Sequence, residues 1–408
     1  MVSATNIQRF HKAVSVFKNA GGLAISCLNL FPMQSKKNTV LLLVPGFPKD
    51  ENDDTCIPAL QEFVFHAAKS PETPEIVVIA LQYPPFRGKY RWHNVTVFSC
   101  GGANNGGFGR LRTWLRAIRT AFQLQKSHRI AAVHSFWLME CALIGQLPAK
   151  LFGAPHIASA MGQDVFPKNR YRKWLRFSRM TLTAPSQRAA DIFFQTNQIR
   201  VSHVIPIGID PEKFPLKAGQ PYADIDVLGV GSLIPLKNYR VFIELIGGLV
   251  ADFPNLNSVI VGEGGERAEL ARMIREKSLE KNVRLAGELP RNKVLAMMKR
   301  SRVLLHPSTY ESQGYVLYEA LASGLTTVSF GVGIAESSSK MRVCRDETEM
   351  LQTLRKLLRH PLDRSPFVLK SIHESVAEFV KFYGNNDLNN SSHSRGEGPF
   401  APTTPDNA

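Results

Sequence analysis

Short apolar runs alternate with longer amphipathic stretches along most of this chain, in two successive series, and this alternation restricts the fold more than any other feature. In the first series Thr39–Val44, Ile76–Leu81, Val95–Ser99, Ile130–His134, His156–Ala160 and His203–Ile207 read as strands. Pro58–Ala68, Arg110–Gln125, Leu138–Leu151 and Gln187–Gln195 read as helices between them. The second series has strands at Asp226–Ser232, Ser258–Gly262, Val283–Gly287, Val303–His306 and Thr326–Ser329. Its helices are Tyr239–Asp252, Arg267–Glu280, Arg291–Arg300 and Tyr315–Ser323. Strands separated by helices of this length predict parallel sheets built from βαβ units. The expected fold is α/β: two doubly wound, Rossmann-like domains, residues 1–215 and 216–365, facing each other across a cleft. Ligands in such sheets bind beyond the carboxyl ends of the strands. A helical segment, Pro366–Tyr383, is expected to pack back on the first domain, and residues 384–408, poor in apolar side chains, to be disordered.

Composition narrows the setting. At 408 residues the chain is long enough for two cores, and no apolar run approaches the ~18 residues that span a bilayer. No secretory signal is evident at the N-terminus. Five scattered cysteines, Cys27, Cys56, Cys100, Cys141 and Cys344, form no Cys-x-x-Cys pair, which suits reduced thiols in a cytoplasmic protein. The net charge of +16 is uneven: residues 1–215 hold 26 Lys and Arg against 12 Asp and Glu. An anionic partner is therefore expected for the N-terminal half.

The chemistry is concentrated between Pro307 and Gly324. The strand ending at Pro307 leads through Tyr310-Glu311-Ser312-Gln313-Gly314 into an apolar helix from Tyr315, and Glu319 lies just over one turn inside it. Free backbone N–H groups from Gln313 to Val316, including those of Gly314 and Tyr315, would point where an anion sits. A phosphate there leaves one carboxylate for sugar hydroxyls and the other for a ribose diol. A second constellation, Gly231-Ser232-Leu233-Ile234-Pro235-Leu236-Lys237, follows another strand end, and Lys237 there could neutralise a leaving diphosphate. No Asp-x-Asp pair ends a strand, so no metal is expected. The Pro-Ser, Glu, Gly and Glu-Ala-Leu-Ala-Ser-Gly embedding resembles the family 4 retaining glycosyltransferases, which have the GT-B fold and a Glu-x7-Glu motif.

The resemblance implies a nucleotide-sugar donor of UDP or GDP type, with Glu319 on the ribose and Glu311 on the sugar. Lys237 and the helix-start amides would hold the leaving diphosphate, and the departing phosphate oxygen would take the acceptor proton. Ser232 stands where the family usually has Arg, a departure that removes a positive charge. Leu289, within Gly287-Glu288-Leu289-Pro290, falls where the family's base stacks, and Gly262-Glu263-Gly264 resembles the family's Gly-acid-Gly turn. His134 matches a histidine lining the cleft near the transferred sugar, with a buried structural role as its alternative. Asp164 either orients the acceptor or caps a helix, and Gly46 lies in an acceptor-side loop.

Two basic stretches, Arg110–Arg119 and Lys168–Arg179, carry interleaved apolar residues and read as amphipathic helices. They suit an anionic membrane surface or, alternatively, ordinary helices with a core face and a solvated face. No nucleic-acid module is visible. The expected activity is transfer of a sugar to a glycan or lipid-linked acceptor in envelope polysaccharide or glycoconjugate synthesis, at the inner face of a membrane. An isomerase of a sugar nucleotide and a catalytically silent GT-B interaction protein are the alternatives.

Overall fold

A computed structural model describes residues 36–214 and 224–384. The first lobe runs β1 (Lys37–Gly46), α1 (Pro58–Lys69), β2 (Glu75–Tyr83), β3 (Arg87–Trp92), β4 (Val95–Cys100) and α2 (Gly107–Ser127). It continues with β5 (His128–Phe136), α3 (Glu140–Phe152), β6 (His156–Ser159), β7 (Thr181–Ala184), α4 (Gln187–Asn197) and β8 (His203–Val204). Its strands order as β3-β4-β2-β1-β5-β6-β7-β8. The β3–β4 pair is antiparallel, whereas β1–β2, β2–β4 and β5 to β8 pair in parallel. Helices cover both faces of β1, so its residues from Val40 to Val44 are all apolar and wholly buried, as central parallel strands require.

The second lobe runs β9 (Ile225–Val230), α5 (Tyr239–Val250), β10 (Ser258–Val261), α6 (Arg267–Glu276), β11 (Val283–Gly287) and α7 (Arg291–Lys299). It continues with β12 (Ser301–His306), α8 (Tyr315–Ala322), β13 (Thr326–Phe330), β14 (Met341–Cys344) and α9 (Glu347–Arg359). The parallel order is β11-β10-β9-β12-β13-β14, so the winding reverses between β9 and β12. A crevice opens where the winding reverses, beyond the carboxyl ends of those two strands. The chain then recrosses: α10 (Ile372–Val380) sends Ile372, Val376 and Phe379, with Tyr383 beyond it, into the first lobe's core beside Phe63 and Phe136. A capping box holds its start, Ser371 accepting from the Glu374 amide while the Glu374 carboxylate accepts from the Ser371 amide. Both lobes belong to one unit that begins at Asn38.

Several expectations need correction. Lys168–Arg179 is not a helix but two short 3-10 turns, Arg172–Trp174 and Phe177–Arg179. Asn169 diverts the backbone there: its amide donates to the Leu138 and Asp164 carbonyls, and its Oδ1 accepts from the Tyr171 N–H. Such local bonds compete with a helix. Tyr171, Leu175 and Phe177 are buried, which leaves the basic residues around them at the surface. The strand expected at His203–Ile207 is only two residues long, and β3, β7, β14 and α9 were not anticipated. The expected tail beyond Gly384 lies outside the described residues. No described helix is long and apolar enough to cross a membrane.

Candidate functional site

The second lobe's crevice is where β9 and β12 deliver their loops. Beyond β9 the chain passes Gly231 and Ser232 and a 3-10 turn, Pro235–Lys237, whose fold brings the Lys237 stem against Gly231. Gly262, after β10, packs directly on this loop, and a Cβ there would collide with the Gly231 carbonyl oxygen. Beyond β12 the chain bends at Pro307 and reaches Gly314, whose φ of 80° turns it into α8. Gly314 caps α8 without a side-chain bond, so the first helical amides, those of Tyr315 and Val316, lack intrahelical partners.

Three side chains converge on one oxygen of Glu311. Lys237 Nζ donates to Oε1 at 2.5 Å, Ser308 Oγ at 2.8 Å, and His306 Nε2 lies at 2.9 Å. Burial pushes the carboxyl up, but the His306 bond and the Lys237 charge outweigh it and hold the acid at about 2. Glu311 is therefore an anion at any physiological pH. Its ionic partner is the lysine singled out from the sequence, while His306 and Ser308 were missed. The signal was present, because His306-Pro307-Ser308 follows a strand at the switch point.

A cavity of about 300 Å³ lies alongside. Gly231, Ser232, Leu289 and Glu319 line it, together with Asp54 and Thr55 from the first lobe. Arg291, not anticipated as a site residue, also lines it and joins the lobes. Its Nε donates to Glu319 at 2.9 Å, its Nη1 to Glu62 on α1, and its backbone N–H to Asp54 at 3.0 Å. Burial works against the Arg291 charge, yet Glu319 and Glu62 more than restore it. Burial raises Glu319 above its ordinary value, and Arg291 draws it back only in part. Ser232 brings no charge to the cavity, and Arg291, which also lines it, supplies a guanidinium.

From Tyr310 to Tyr315 the loop serves both lobes. Tyr310 Oη donates to the Gly162 carbonyl at 2.9 Å and Ser312 Oγ to the Met161 carbonyl at 2.6 Å. Gln313 exchanges two bonds with the Ile207 backbone, at 3.0 and 2.6 Å. Its side chain is thus an inter-lobe clamp. Tyr315 reaches the Gly208 carbonyl at 3.4 Å.

The first-lobe candidates fall elsewhere. His134 does not line the cleft: it is wholly buried, with Nδ1 2.7 Å from Tyr383 Oη and Nε2 2.7 Å from Ser159 Oγ. Burial drags its pKa down to about 3, so it is a neutral core residue stacked on Phe136. The Asp164 carboxylate is spent on backbone, accepting from Leu138, Met161 and Gly162, which fixes the loop that Tyr310 and Ser312 contact. It is buried and offers nothing to an acceptor. Gly46 is also buried, and a Cβ there would crowd the Tyr83 side chain.

Two facing lobes of parallel sheet, with the crevice at the switch point of the second, define the GT-B class. Anabaena HepE, crystallised with UDP and glucose, shares this fold: TM-score 0.59, 16% identity, over 85% of this chain and 96% of that one. So does an α,α-trehalose-phosphate synthase (UDP-forming) from Burkholderia vietnamiensis, with TM-score 0.61 and 15% identity over 87% and 95% of the two chains. Residues 212–351 match the family model described as Glycosyl transferases group 1. It is 31% identical to the phosphatidylinositol N-acetylglucosaminyltransferase gpi3 subunit of Schizosaccharomyces pombe, over 46% of this chain and 41% of that protein. It is 25% identical to the 2-deoxystreptamine glucosyltransferase of Streptomyces kanamyceticus, over 55% and 66% of the two. The matches thus span less than two thirds of either curated relative.

Proposed function

We propose that this chain is a retaining glycosyltransferase of the family 4 type, with a nucleoside-diphosphate sugar, UDP- or GDP-linked, as donor. The observation that carries the reading is the crevice itself: a cavity ending at Gly231, Ser232 and Glu319, with the Lys237–Glu311 pair beside it. In this reading Glu319 takes the ribose hydroxyls, Leu289 flanks the base, and Lys237 with the Tyr315 and Val316 amides faces the diphosphate. The bond between the anomeric carbon and the phosphate oxygen breaks, one to the acceptor oxygen forms, and the acceptor proton passes to the departing phosphate. Glu311 suits binding of sugar hydroxyls better than nucleophilic attack, because three donors already occupy its Oε1 and its basicity is low. Lys237 supplies positive charge where the diphosphate develops its own.

The acceptor in this reading is lipid-linked and met at an anionic membrane. Helix α2 buries only Thr113, Ala117, Ala121 and Leu124 against the lobe. Phe108, 84% exposed, continues along a solvent face with Leu111, Leu115 and Phe122, beside the exposed Arg112 and Arg119. Apolar side chains flanked by arginine suit the interface of an anionic bilayer. One relative is named for phosphatidylinositol, which agrees with a lipid acceptor, whereas the other is named for 2-deoxystreptamine.

A thermal-shift panel of UDP, GDP, ADP and their sugar conjugates, against wild type and Glu319→Gln, tests the donor reading. A nucleotide at 100 times its Kd should stabilise the fold by ~2.7 kcal/mol. A shift with one nucleotide, weakened in Glu319→Gln, is the expected result; no shift with any of them in folded protein would sink it. Co-sedimentation with phosphatidylglycerol vesicles, lost in Leu111→Ser/Leu115→Ser and absent with neutral vesicles, tests the membrane reading.

A further inference from the structure

The inter-lobe network around Glu62 contains an unresolved electrostatic arrangement. Glu62 and His66 stand one turn apart on α1, and Asp210 faces them from the crossover between the lobes. One ligand atom from each lies within 4.8 Å of the other two. The His66 side chain is only 10% exposed, and its Nε2 has no hydrogen-bond partner. It nevertheless sits 3.3 Å from Asp210 Oδ2 and 3.7 Å from Glu62 Oε2. As an N–H it would donate to nothing in good geometry. As a lone pair it would face two carboxylate oxygens. A cation between the three atoms resolves both problems.

Charge and spacing agree. Three carboxylates, Glu62, Asp210 and Glu319, share the network with two cations, Lys213 and Arg291. One negative charge is left over. Lys213 and Arg291 both reach Glu62 Oε1, and Lys213 also touches Oε2 at 2.9 Å. Asp210 Oδ1 takes the Glu212 N–H, so Oδ2 is the oxygen turned to the histidine. In a tetrahedral zinc site, bonds of about 2.0–2.2 Å put ligand atoms about 3.3–3.6 Å apart. The two separations from His66 Nε2 are 3.3 and 3.7 Å, close to that range, and all three ligand atoms lie within 4.8 Å of one another.

We infer that Glu62, His66 and Asp210 form a binding site for a divalent transition cation, zinc by its nitrogen and oxygen donors, with water completing the tetrahedron. The site is structural in position. It ties α1 of the first lobe to the crossover, and through Glu62 and Arg291 it adjoins the cavity. Magnesium and calcium, which prefer all-oxygen shells, fit less well.

The test uses the untagged full chain, stripped with chelator and dialysed against zinc. The wild type should retain about one equivalent more zinc than His66→Ala and Asp210→Asn, each of which removes one of the three protein ligands. Cobalt added to the stripped wild type should give the visible absorption of a four-coordinate site, missing from both variants. Circular dichroism confirms that each variant is folded. Should one variant misfold, His66→Gln takes its place. Equal zinc retention by wild type and folded variants, or a cobalt spectrum unchanged by the substitutions, overturns the assignment.

Discussion

Lys237 and Glu311, 74 residues apart in sequence, meet at 2.5 Å where two loops of one sheet converge. Each neutralises the other, so under the proposed function a diphosphate entering the crevice would compete with Glu311 for the lysine. Lys237→Ala should lower kcat by ~10²–10³-fold, the usual cost of losing one donor to developing charge. Chromatographic measurement of released nucleotide at saturating donor checks this. Retained kcat with only a raised KM would mean that the lysine serves binding alone.

The same carboxylate sets a pH dependence. Glu311 is held at about 2 against an ordinary 4.5, so folding favours its ionised form. The resulting stability is fully present above pH 4.5 and is lost as pH falls toward 2. Glu311→Gln should lack this component, and the gap in urea-unfolding free energy between it and wild type should shrink across that window. The change is on the order of 3 kcal/mol at most. A gap independent of pH would contradict the ionic environment described.

His134 should behave as a core residue. Folded, it stays neutral down to about pH 3, whereas in the unfolded chain it takes a proton below about 6.5. Stability therefore declines as pH drops from 6.5 toward 3. His134→Gln should flatten that decline and lower Tm while leaving the donor KM unchanged, as thermal melts over a pH series and initial rates would show. A specific loss of kcat in a fully stable variant would return His134 to the chemistry.

Arg291 and Ser232 each carry a prediction at the cavity. Arg291→Ala leaves Glu319, and in part Glu62, without its cation, which should cost ~3–5 kcal/mol in urea unfolding. Ser232→Arg adds a guanidinium to the same cavity and should tighten nucleoside-diphosphate binding by ~10-fold, the worth of one charged hydrogen bond. Isothermal titration with the diphosphate found by the panel measures it, and weaker binding would mean that Ser232 leaves no vacancy for charge.

The parts of the site that come from contiguous motifs were legible in the sequence. Glu311, Glu319 and Lys237 each follow a strand at the switch point, as the strand–loop–helix rhythm suggested, whereas their roles came from the family resemblance. Arg291 and Glu62, 229 residues apart, were not legible because their meeting depends on how the two lobes close. His134 was misread for a related reason: a strand end looks open until Tyr383, 249 residues later, covers it. The basic Lys168–Arg179 stretch has helical spacing, but Asn169 spends its side chain on local turns. Edge strand β3 was missed because it has no apolar run, only one well-buried residue, Trp92.

The segment from Tyr310 to Tyr315 has a mechanical consequence. Tyr310, Ser312 and Gln313 fasten to the first lobe, while Glu311 between them holds Lys237 in the second. Separation of the lobes would have to break those bonds, which flank Glu311 on both sides, so the loop that carries the charge pair is also a loop that opening would disturb.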